Sequence, residues 1–294
     1  MSSCSPSSAE RTATGTSVHP AGWMLAPLSP AWATTSSTPG WKSPVSPIAS
    51  ARQADGAEGR SPMTHRLVLW DVDGTLLSTG PVGRQALEVG TAEVAGLSEV
   101  PHVSMSGKTD PQIVAEILAV AGTSPEESAA LIPAALGVAE RWLAEGRPRI
   151  VAEGFVQPGV PEVLEALSAT HGVRQTLLTG NVEPNAFVKV DAFGLAPFFD
   201  FAIGAYGSDH PDRECLVPMA LERVARLRSD RFGADEAWII GDTVNDLRCA
   251  RAAGAHCVLV ATGREGIGNL GRLEPDHLLD DLSDTSTVLD ILLG

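Results

Sequence analysis

The chain has 294 residues, of which 44% are hydrophobic, and a formal net charge of -15. Such an acidic chain is not expected to bind nucleic acid or an anionic membrane surface, since both need clustered Lys and Arg. No apolar run reaches the roughly 18 residues that a membrane-spanning helix requires, so no membrane span is predicted.

Residues 1–62 are rich in Ser, Thr, Pro and Ala and carry few charges. They show neither the period of a strand nor that of a helix. Because this composition buries too little apolar surface to offset the entropy of ordering the chain, the segment is predicted to be a disordered N-terminal extension. One hypothesis is that translation starts at Met63, just before the first strand.

From Leu67 onward, apolar runs that are typical of strands alternate with helix-like stretches and turn signals. This alternation predicts a doubly wound, Rossmann-like α/β fold with a mostly parallel sheet. The predicted strands cover residues 66–70, 174–178, 201–205, 237–240 and 256–260.

The long interval between the first two predicted strands has a helical pattern. Pro111 and Pro125 occupy first-turn positions, which proline favours. Residues 84–152 are therefore predicted to form an inserted α-helical cap, and the core is expected to comprise residues 63–83 and 153–294. The predicted helices of the cap cover 85–94, 111–121, 125–131 and 134–143.

The apolar run 67–70 ends at Asp71, which is followed by Asp73, Gly74 and Thr75. A continuous apolar run is typical of a parallel strand buried on both faces, and ligands in open α/β sheets bind at the carboxyl ends of such strands. Two carboxylates one residue apart can hold a hard cation and leave one oxygen for nucleophilic attack. An Asx turn is the simpler alternative, since Asp and Gly also favour turns.

A second predicted strand also ends in small polar residues. Thr179, Gly180 and Asn181 follow residues 174–178. The backbone and amide N–H groups of Gly180 and Asn181 can hold a phosphate before the next helix. A strand end followed by a turn explains the same three residues equally well.

Asp242 follows the predicted strand at 237–240, and Asp246 lies near the first turn of the next helix. The helix dipole accounts for Asp246 without any catalytic role. It accounts less well for Asp242, which would reach the same sheet edge as Asp71 and Asp73. Like charges gathered at one place need a cation, and a set of oxygen ligands favours Mg²⁺.

Together these segments resemble the haloacid dehalogenase-like hydrolase superfamily, and within it the phosphoglycolate phosphatase-like members with a helical cap. The resemblance covers roughly residues 65–270, and the order and strand context of the motifs agree with it. The motifs that carry it are Asp71-Val72-Asp73-Gly74-Thr75, Thr179-Gly180-Asn181 and Gly241-Asp242-Thr243-Val244-Asn245-Asp246.

The resemblance implies a role for each of these residues. Asp71 would be the nucleophile that forms an aspartyl-phosphate, and Asp73 the general acid and then the general base. Thr179 and the amide that follows it would bind the phosphoryl oxygens. The residues implied for Mg²⁺ are Asp71, the main-chain carbonyl of Asp73 and Asp242. Asp246 would not bind the ion directly but would orient a metal-bound water or the cation of the motif.

The chain departs from the family pattern in the third motif, which is usually a Lys ahead of the fourth. None of its three lysines lies at that position. Arg213 is the nearest cation there and is predicted to bind phosphate and to screen Asp71, although its fork differs from an ammonium group. Lys189 is the weaker candidate, because its position otherwise indicates the solvated face of the helix after Asn181.

Lys108 lies in a polar loop ahead of a predicted cap helix. By resemblance to similar family members it can reach the leaving group of the substrate. The alternative is that Gly107 is merely a turn and Asp110 an N-cap, a position that Asp prefers.

The leading hypothesis is a Mg²⁺-dependent phosphatase that acts on a small phosphorylated metabolite, with the cap closing over the bound ester. A phosphomutase on a sugar phosphate is the alternative within the fold, and it would use the same Asp71 and Asp73. A non-catalytic regulatory protein that keeps the fold is the alternative from another class, and the absent Lys is its only indication.

The cysteines have neither the paired spacing of a zinc site nor the density of a secreted disulfide framework. A cytoplasmic protein is therefore expected. Cys249 and Cys257 lie in apolar surroundings and are predicted to be small core residues.

Overall fold

A computed structural model describes residues 65–294. The predicted disordered extension, residues 1–62, and the hypothetical start at Met63 lie outside the described residues.

A parallel sheet forms the centre of the described part. The sheet contains six strands in the spatial order β5-β4-β1-β6-β7-β8, and all neighbouring pairs are parallel, whereas β2 and β3 form a separate antiparallel pair. In chain order the strands are β1 (Arg66–Trp70), β2 (Leu77–Ser78), β3 (Phe155–Val156), β4 (Val173–Thr179), β5 (Ala205–Tyr206), β6 (Ala237–Gly241), β7 (His256–Val260) and β8 (His277–Leu279).

Helices cover both faces of this sheet. Buried side chains of α5, α6 and α10 belong to the apolar cluster on one face, and those of α7, α8 and α9 to the cluster on the other. This arrangement confirms the predicted doubly wound α/β fold. The helices are α1 (Val82–Ala95), α2 (Asp110–Val120), α3 (Pro125–Glu145), α4 (Arg147–Glu153), α5 (Val160–Ser168), α6 (Glu183–Ala192), α7 (Leu216–Arg228), α8 (Val244–Ala253), α9 (Ile267–Gly271) and α10 (Thr285–Leu293).

Strand β1 lies at the middle of the sheet and is buried on both faces. Leu67 and Leu69 pack into one apolar cluster, and Val68 and Trp70 into the other. All four side chains are fully shielded from solvent. The continuous apolar run in the sequence therefore reflects burial on two sides, which is typical of parallel sheets.

The helices α1 to α4 lie in the chain between β2 and β3 and have an apolar core of their own. Val82, Ile117, Ala139 and Leu143 are among its fully buried side chains. The insert runs from Val82 to Glu153 as helices, and the β2–β3 pair joins its two ends to the sheet domain.

Two helices of the insert begin at capping boxes. Thr109 caps α2 together with Gln112, and Ser124 caps α3 together with Glu127. In each case the hydroxyl of the capping residue accepts from the backbone N–H of the third helical residue. The side chain of that third residue accepts in return from the backbone N–H of the capping residue. The alternative explanation of Asp110 as an N-cap is therefore wrong by one residue, because the Thr109 hydroxyl takes that position.

Helix α3 is one continuous helix, whereas the sequence predicted two, at 125–131 and 134–143. Pro133 lies inside it. A proline removes one helical N–H and normally breaks or kinks a helix. Here the apolar side of α3 packs against the insert core on both sides of Pro133, and Leu131 and Leu143 belong to the same cluster. Burial on one face therefore outweighs the lost hydrogen bond.

The strand predicted at 201–205 is also wrong. The segment forms a 3₁₀ turn, Phe201–Ile203, and only Ala205–Tyr206 pairs with the sheet. The Ile203 N–H donates to the carbonyl of Asp200 at 3.2 Å, which closes this turn locally. Ile203 and Ala205 are nevertheless buried in the apolar cluster on one face of the sheet, so an apolar run alone did not distinguish the two forms.

Cys249 and Cys257 are buried and free, which confirms the prediction that they are core residues. Among the described helices, none has the length and apolar character needed to cross a membrane.

Candidate active site

Three neighbouring strands end at one edge of the sheet. Trp70 on β1 pairs with Leu177 on β4 at one side and with Ile240 on β6 at the other. Asp71 continues β1, and its N–H donates to the carbonyl of Ile240 at 3.0 Å. Because the three strands are parallel and in register, the residues that follow them meet at the same edge.

Three buried carboxylates lie together at this edge. Asp71, Asp242 and Asp246 each offer an oxygen, and these atoms are all within 4.8 Å of one another. Their residues are only 4%, 3% and 0% exposed. Like charges held this closely in a buried site need a cation, and a set of carboxylate oxygens fits a hard divalent ion such as Mg²⁺.

The pKa values of two of these carboxyl groups are raised in the folded protein. Burial raises the pKa of Asp71 to about 7, although the charge of Arg213 opposes the rise. Burial, followed by the charges of Asp71 and Asp246, raises the pKa of Asp242 to about 8. Without a cation, the ionised forms of these carboxyl groups are therefore disfavoured in the folded protein.

Asp246 serves both the helix and the cluster. Its Oδ2 accepts from the N–H and the hydroxyl of Thr243, at 3.0 and 2.7 Å, which caps α8. Its Oδ1 accepts from Arg213. The helix-capping explanation and proximity to the carboxylate cluster are therefore both true of this residue.

Asp242 is held in place by residues from two segments, the loop after β1 and the loop after β7. The Thr75 hydroxyl donates to its Oδ1 at 3.1 Å. Two glycines pack against its carboxylate, since a Cβ added at Gly74 or Gly263 would lie 2.6 or 1.7 Å from Oδ2. Gly263 lies in the loop after β7, and the sequence analysis did not single it out. The available signal for Gly263 was that a small residue follows β7, the strand next to β6.

Arg213 lies at the start of a 3₁₀ turn, Arg213–Cys215, and its side chain is buried. Its Nη2 donates to Asp71 Oδ1 at 2.9 Å and also to Asp246. Its Nη1 donates to the carbonyl of Gly107 in the insert at 3.3 Å. Burial lowers the pKa of the guanidinium, but the charges of Asp246 and Asp71 outweigh this effect and raise it overall. The cation that the sequence analysis favoured therefore contacts the candidate nucleophile.

The prediction that Lys189 faces solvent is wrong. Its side chain is 7% exposed, and its Nζ lies 2.6 Å from Asp73 Oδ2 and 2.6 Å from Asn181 Oδ1. The buried face of α6 consists of Asn185, Ala186, Lys189 and Val190. Polar residues that share the apolar stripe of an amphipathic helix were the signal that could have revealed this.

Asp73 has different hydrogen-bond partners from the three clustered carboxylates. Its Oδ2 accepts from Lys189 and from the Asn181 amide, the latter at 2.8 Å. The Asn181 amide also donates to Thr179 Oγ1 at 2.8 Å. The residues after β1 and β4 therefore form one hydrogen-bonded group, in which the Asp73 side chain stands beside the cavity and is 43% exposed.

Gly180 is one of the points at which the insert approaches the sheet edge. A Cβ there would lie 2.1 Å from the carbonyl oxygen of Lys108, and the Gly180 carbonyl accepts from the Asp110 N–H at 2.7 Å. Asp110 Oδ2 in turn accepts from the Val182 N–H at 3.0 Å and the Asn185 amide at 3.2 Å. Burial raises the pKa of Asp110, against the lowering effect of the Lys189 charge.

Lys108 lines the cavity, and its ammonium group is paired within the insert. Its Nζ lies 2.5 Å from Glu116 Oε2. The predicted contact with a leaving group would require this ion pair to open or to be shared.

A cavity of about 340 Å³ is lined by residues of the sheet edge and of the insert together. Apolar side chains such as Leu87, Met105 and Ile113 form part of its wall on the insert side. The described basic residues that line it are Arg84, Lys108, Lys189, Arg213 and Arg264. Arg84 and Arg264 were not singled out from the sequence, because nothing in their local pattern distinguishes them from surface cations.

Comparison with known proteins points in the same direction as the geometry. A family model described as haloacid dehalogenase-like hydrolase matches residues 65–254. The phosphoglycolate phosphatase of Rhodospirillum rubrum is 32% identical over 212 residues, which cover 71% of this chain and 85% of that protein.

Solved structures with similar folds come from proteins of different activity. A predicted phosphoglycolate phosphatase from Haemophilus somnus has a TM-score of 0.55 at 19% identity and covers 78% of this chain and 99% of its own. The β-phosphoglucomutase of Clostridium difficile has a TM-score of 0.57 at 15% identity and covers 78% of this chain and 96% of its own. At these identities the likeness establishes the fold and does not distinguish a hydrolase from a mutase.

Proposed function

Since the chain belongs to the haloacid dehalogenase-like hydrolase family and is a phosphatase, we propose that it hydrolyses a small phosphorylated metabolite with Asp71 as the nucleophile. The observation that carries this proposal is the pairing of Asp71 with Arg213 beside two further buried carboxylates. An isolated carboxylate and phosphate would repel each other. Arg213 and a metal ion would provide the positive charge that brings them together.

In the first half of the reaction a carboxylate oxygen of Asp71 attacks phosphorus. The bond between phosphorus and the ester oxygen breaks, and Asp73 donates a proton to the departing oxygen. In the second half, Asp73 accepts a proton from a water molecule, which attacks phosphorus and breaks the bond to Asp71. This division into two steps is what a carboxylate nucleophile offers.

Asp71, Asp242 and the main-chain carbonyl of Asp73 are the groups that we propose hold Mg²⁺. The buried donor set fits this ion because it is made of oxygens only. Asp246 lies close enough to share in the site, although both of its oxygens already accept hydrogen bonds. When bound, Mg²⁺ neutralises charge on the transferred phosphoryl group.

Thr179, Gly180 and Asn181 are proposed to surround the phosphoryl group, with Arg213 on the side of the nucleophile. The insert would act as a cap, because it contributes walls to the same cavity. A cavity of about 340 Å³ favours a small ester. The sequence relative above makes 2-phosphoglycolate the first compound to test, and Lys108 and Arg84 are cations that can meet the leaving group.

The test is a phosphate-release assay with the purified full chain on a panel of small phosphate monoesters, including 2-phosphoglycolate. Activity should require Mg²⁺, disappear with EDTA and fall at least about 10³-fold in Asp71→Asn, because the covalent route is lost. Equal turnover by the wild type and Asp71→Asn would contradict the proposed mechanism. Formation of an isomeric sugar phosphate without phosphate release would identify a mutase instead.

A further inference from the structure

Lys189 is a buried cation whose position neither the family motifs nor the nucleophile explains. Its side chain is 7% exposed, and burying an ammonium group is costly unless hydrogen-bonded partners compensate it. Its Nζ has two such partners, Asp73 and Asn181, each at 2.6 Å. We propose that Lys189 is a positioning residue, which holds the Asp73 carboxyl group in the orientation needed for proton transfer.

The three side chains form a closed ring of hydrogen bonds. Lys189 donates to Asp73 and to Asn181, and Asn181 donates to Asp73. Both donors to Asp73 reach the same oxygen, Oδ2, so Oδ1 receives neither of them. A carboxyl group that is 43% exposed would otherwise sample several rotamers. The ring restricts it to one, and an acid or base acts well only when held within reach of its proton.

Residues at the start of the insert approach the Lys189 ammonium group closely. A Cβ added at Gly83, on the first helix of the insert, would lie 3.3 Å from Lys189 Nζ and 2.8 Å from Thr79 Oγ1. On α6, Ala186 and Val190 are buried beside Lys189. An apolar residue would suit that stripe better than a lysine, so the charge is explained by the ring that it completes.

Lys189 and Arg213 contact different carboxylates. Arg213 donates to Asp71 and Asp246, whereas Lys189 donates to Asp73. The inference rests on the proposed function, in which Asp71 attacks and Asp73 transfers protons. It adds that the chain uses a separate cation for each of these two groups.

The test compares two esters that differ in how much they need a proton on the departing oxygen. Phenyl phosphate has a poor leaving group, whereas 4-nitrophenyl phosphate has a good one and depends less on acid catalysis. In Lys189→Met, kcat/KM should fall at least about ten-fold more for phenyl phosphate than for 4-nitrophenyl phosphate. Inhibition by inorganic phosphate should stay within about two-fold of the wild type, since Arg213, Thr179 and the Gly180 N–H remain to bind the phosphoryl group.

A double-mutant comparison shows whether Lys189 acts through Asp73. In an Asp73→Asn background, Lys189→Met should change the ratio between the two esters by less than about two-fold, because coupled residues are non-additive. Lys189→Arg is the second variant if Lys189→Met does not fold. It keeps the charge with a bulkier fork, and it should shift the ester ratio in the same direction by a smaller factor.

Arg147→Met is the matched control. Arg147 pairs at 2.7 Å with Asp191, which lies on α6 as Lys189 does. The Arg147 side chain is half exposed and does not line the cavity. The control should leave the ester ratio unchanged.

Equal losses for both esters with weaker phosphate inhibition would mean that Lys189 binds the phosphoryl group, and this would overturn the inference. Equal losses with a lower melting temperature and unchanged phosphate inhibition would indicate a structural role and would overturn it as well. If the wild type releases phosphate neither from these two esters nor from any monoester of the panel above, the proposed function itself fails. If the wild type is active and only the Lys189 variants depart from the expected ester ratios, the inference about Lys189 fails and the proposed function stands.

Discussion

The guanidinium of Arg213 and the carboxylate of Asp71 are hydrogen-bonded at 2.9 Å, although 142 residues separate them in the chain. Both side chains are buried, and the same Arg213 nitrogen also donates to Asp246. The contact joins the residue after β1 to the start of the segment that leads into α7. It gives the candidate nucleophile a permanent positive neighbour.

Arg213→Ala should weaken the binding of inorganic phosphate by about 1–3 kcal/mol, the scale for loss of a charge-assisted contact. The measurement is the inhibition constant for phosphate, or direct titration where activity is lost. Arg226→Ala, on the exposed side of α7, is the control and should not change binding. Unchanged phosphate affinity in Arg213→Ala would assign the role to another cation.

Asp242→Asn should raise the melting temperature of the metal-free protein at pH 8 and remove its stabilisation by Mg²⁺. Burial and neighbouring charges raise the pKa of Asp242 to about 8. A carboxyl pKa that is higher in the folded state destabilises the fold as pH rises, so a neutral amide relieves this cost. In the wild type, Mg²⁺ at a hundred times its Kd should add about 2.7 kcal/mol. Equal Mg²⁺ stabilisation of both proteins would exclude Asp242 as a ligand.

Gly263→Ala should lower kcat/KM at least about ten-fold, because preorganised sites tolerate displacements of only about 0.5 Å. The added Cβ would lie 1.7 Å from Asp242 Oδ2, so the loop or the carboxylate must move. Gly268→Ala is the control, since nothing lies within 4 Å of a Cβ there. Activity of Gly263→Ala within two-fold of the control would show that this close approach has no catalytic consequence.

Protonated His65 should stabilise the fold through its two acidic neighbours. Its ring nitrogens lie 2.9 Å from Glu236 and 3.0 Å from Asp230. Burial lowers the pKa of His65, but the hydrogen bonds to Asp230 and Glu236 outweigh this and raise it above 6.5. The stabilisation is therefore complete below pH 6.5 and lost as pH rises through the folded-state value.

Urea unfolding of the wild type and His65→Gln at pH 6, 7 and 8 measures this effect. The difference in unfolding free energy between them should shrink as pH increases. His171→Gln, which alters an exposed histidine, is the control and should show no such trend. A difference that is constant over this range would mean that His65 contributes through stacking on Phe232 alone.

Local sequence patterns predicted the strands that deliver the site. The apolar runs at 66–70 and 256–260 are β-strands with those same bounds, because burial on both faces of a parallel sheet demands continuous apolar residues. The pattern failed at 201–205, where tertiary packing favoured a turn over a strand. It also failed at Pro133, where packing favoured one continuous helix over two.

The sequence by itself determined the fold class, the family and the acidic residues at the strand ends, since strand, turn and motif are written in neighbouring residues. Only the tertiary structure decided the partners of the cations. The family resemblance led to Arg213 as a cation for Asp71, and the fold gives the contact itself, but no local pattern identifies Asp73 as the partner of Lys189. A buried charge takes its position from the opposite charges that the fold brings to it, and those come from distant parts of the chain.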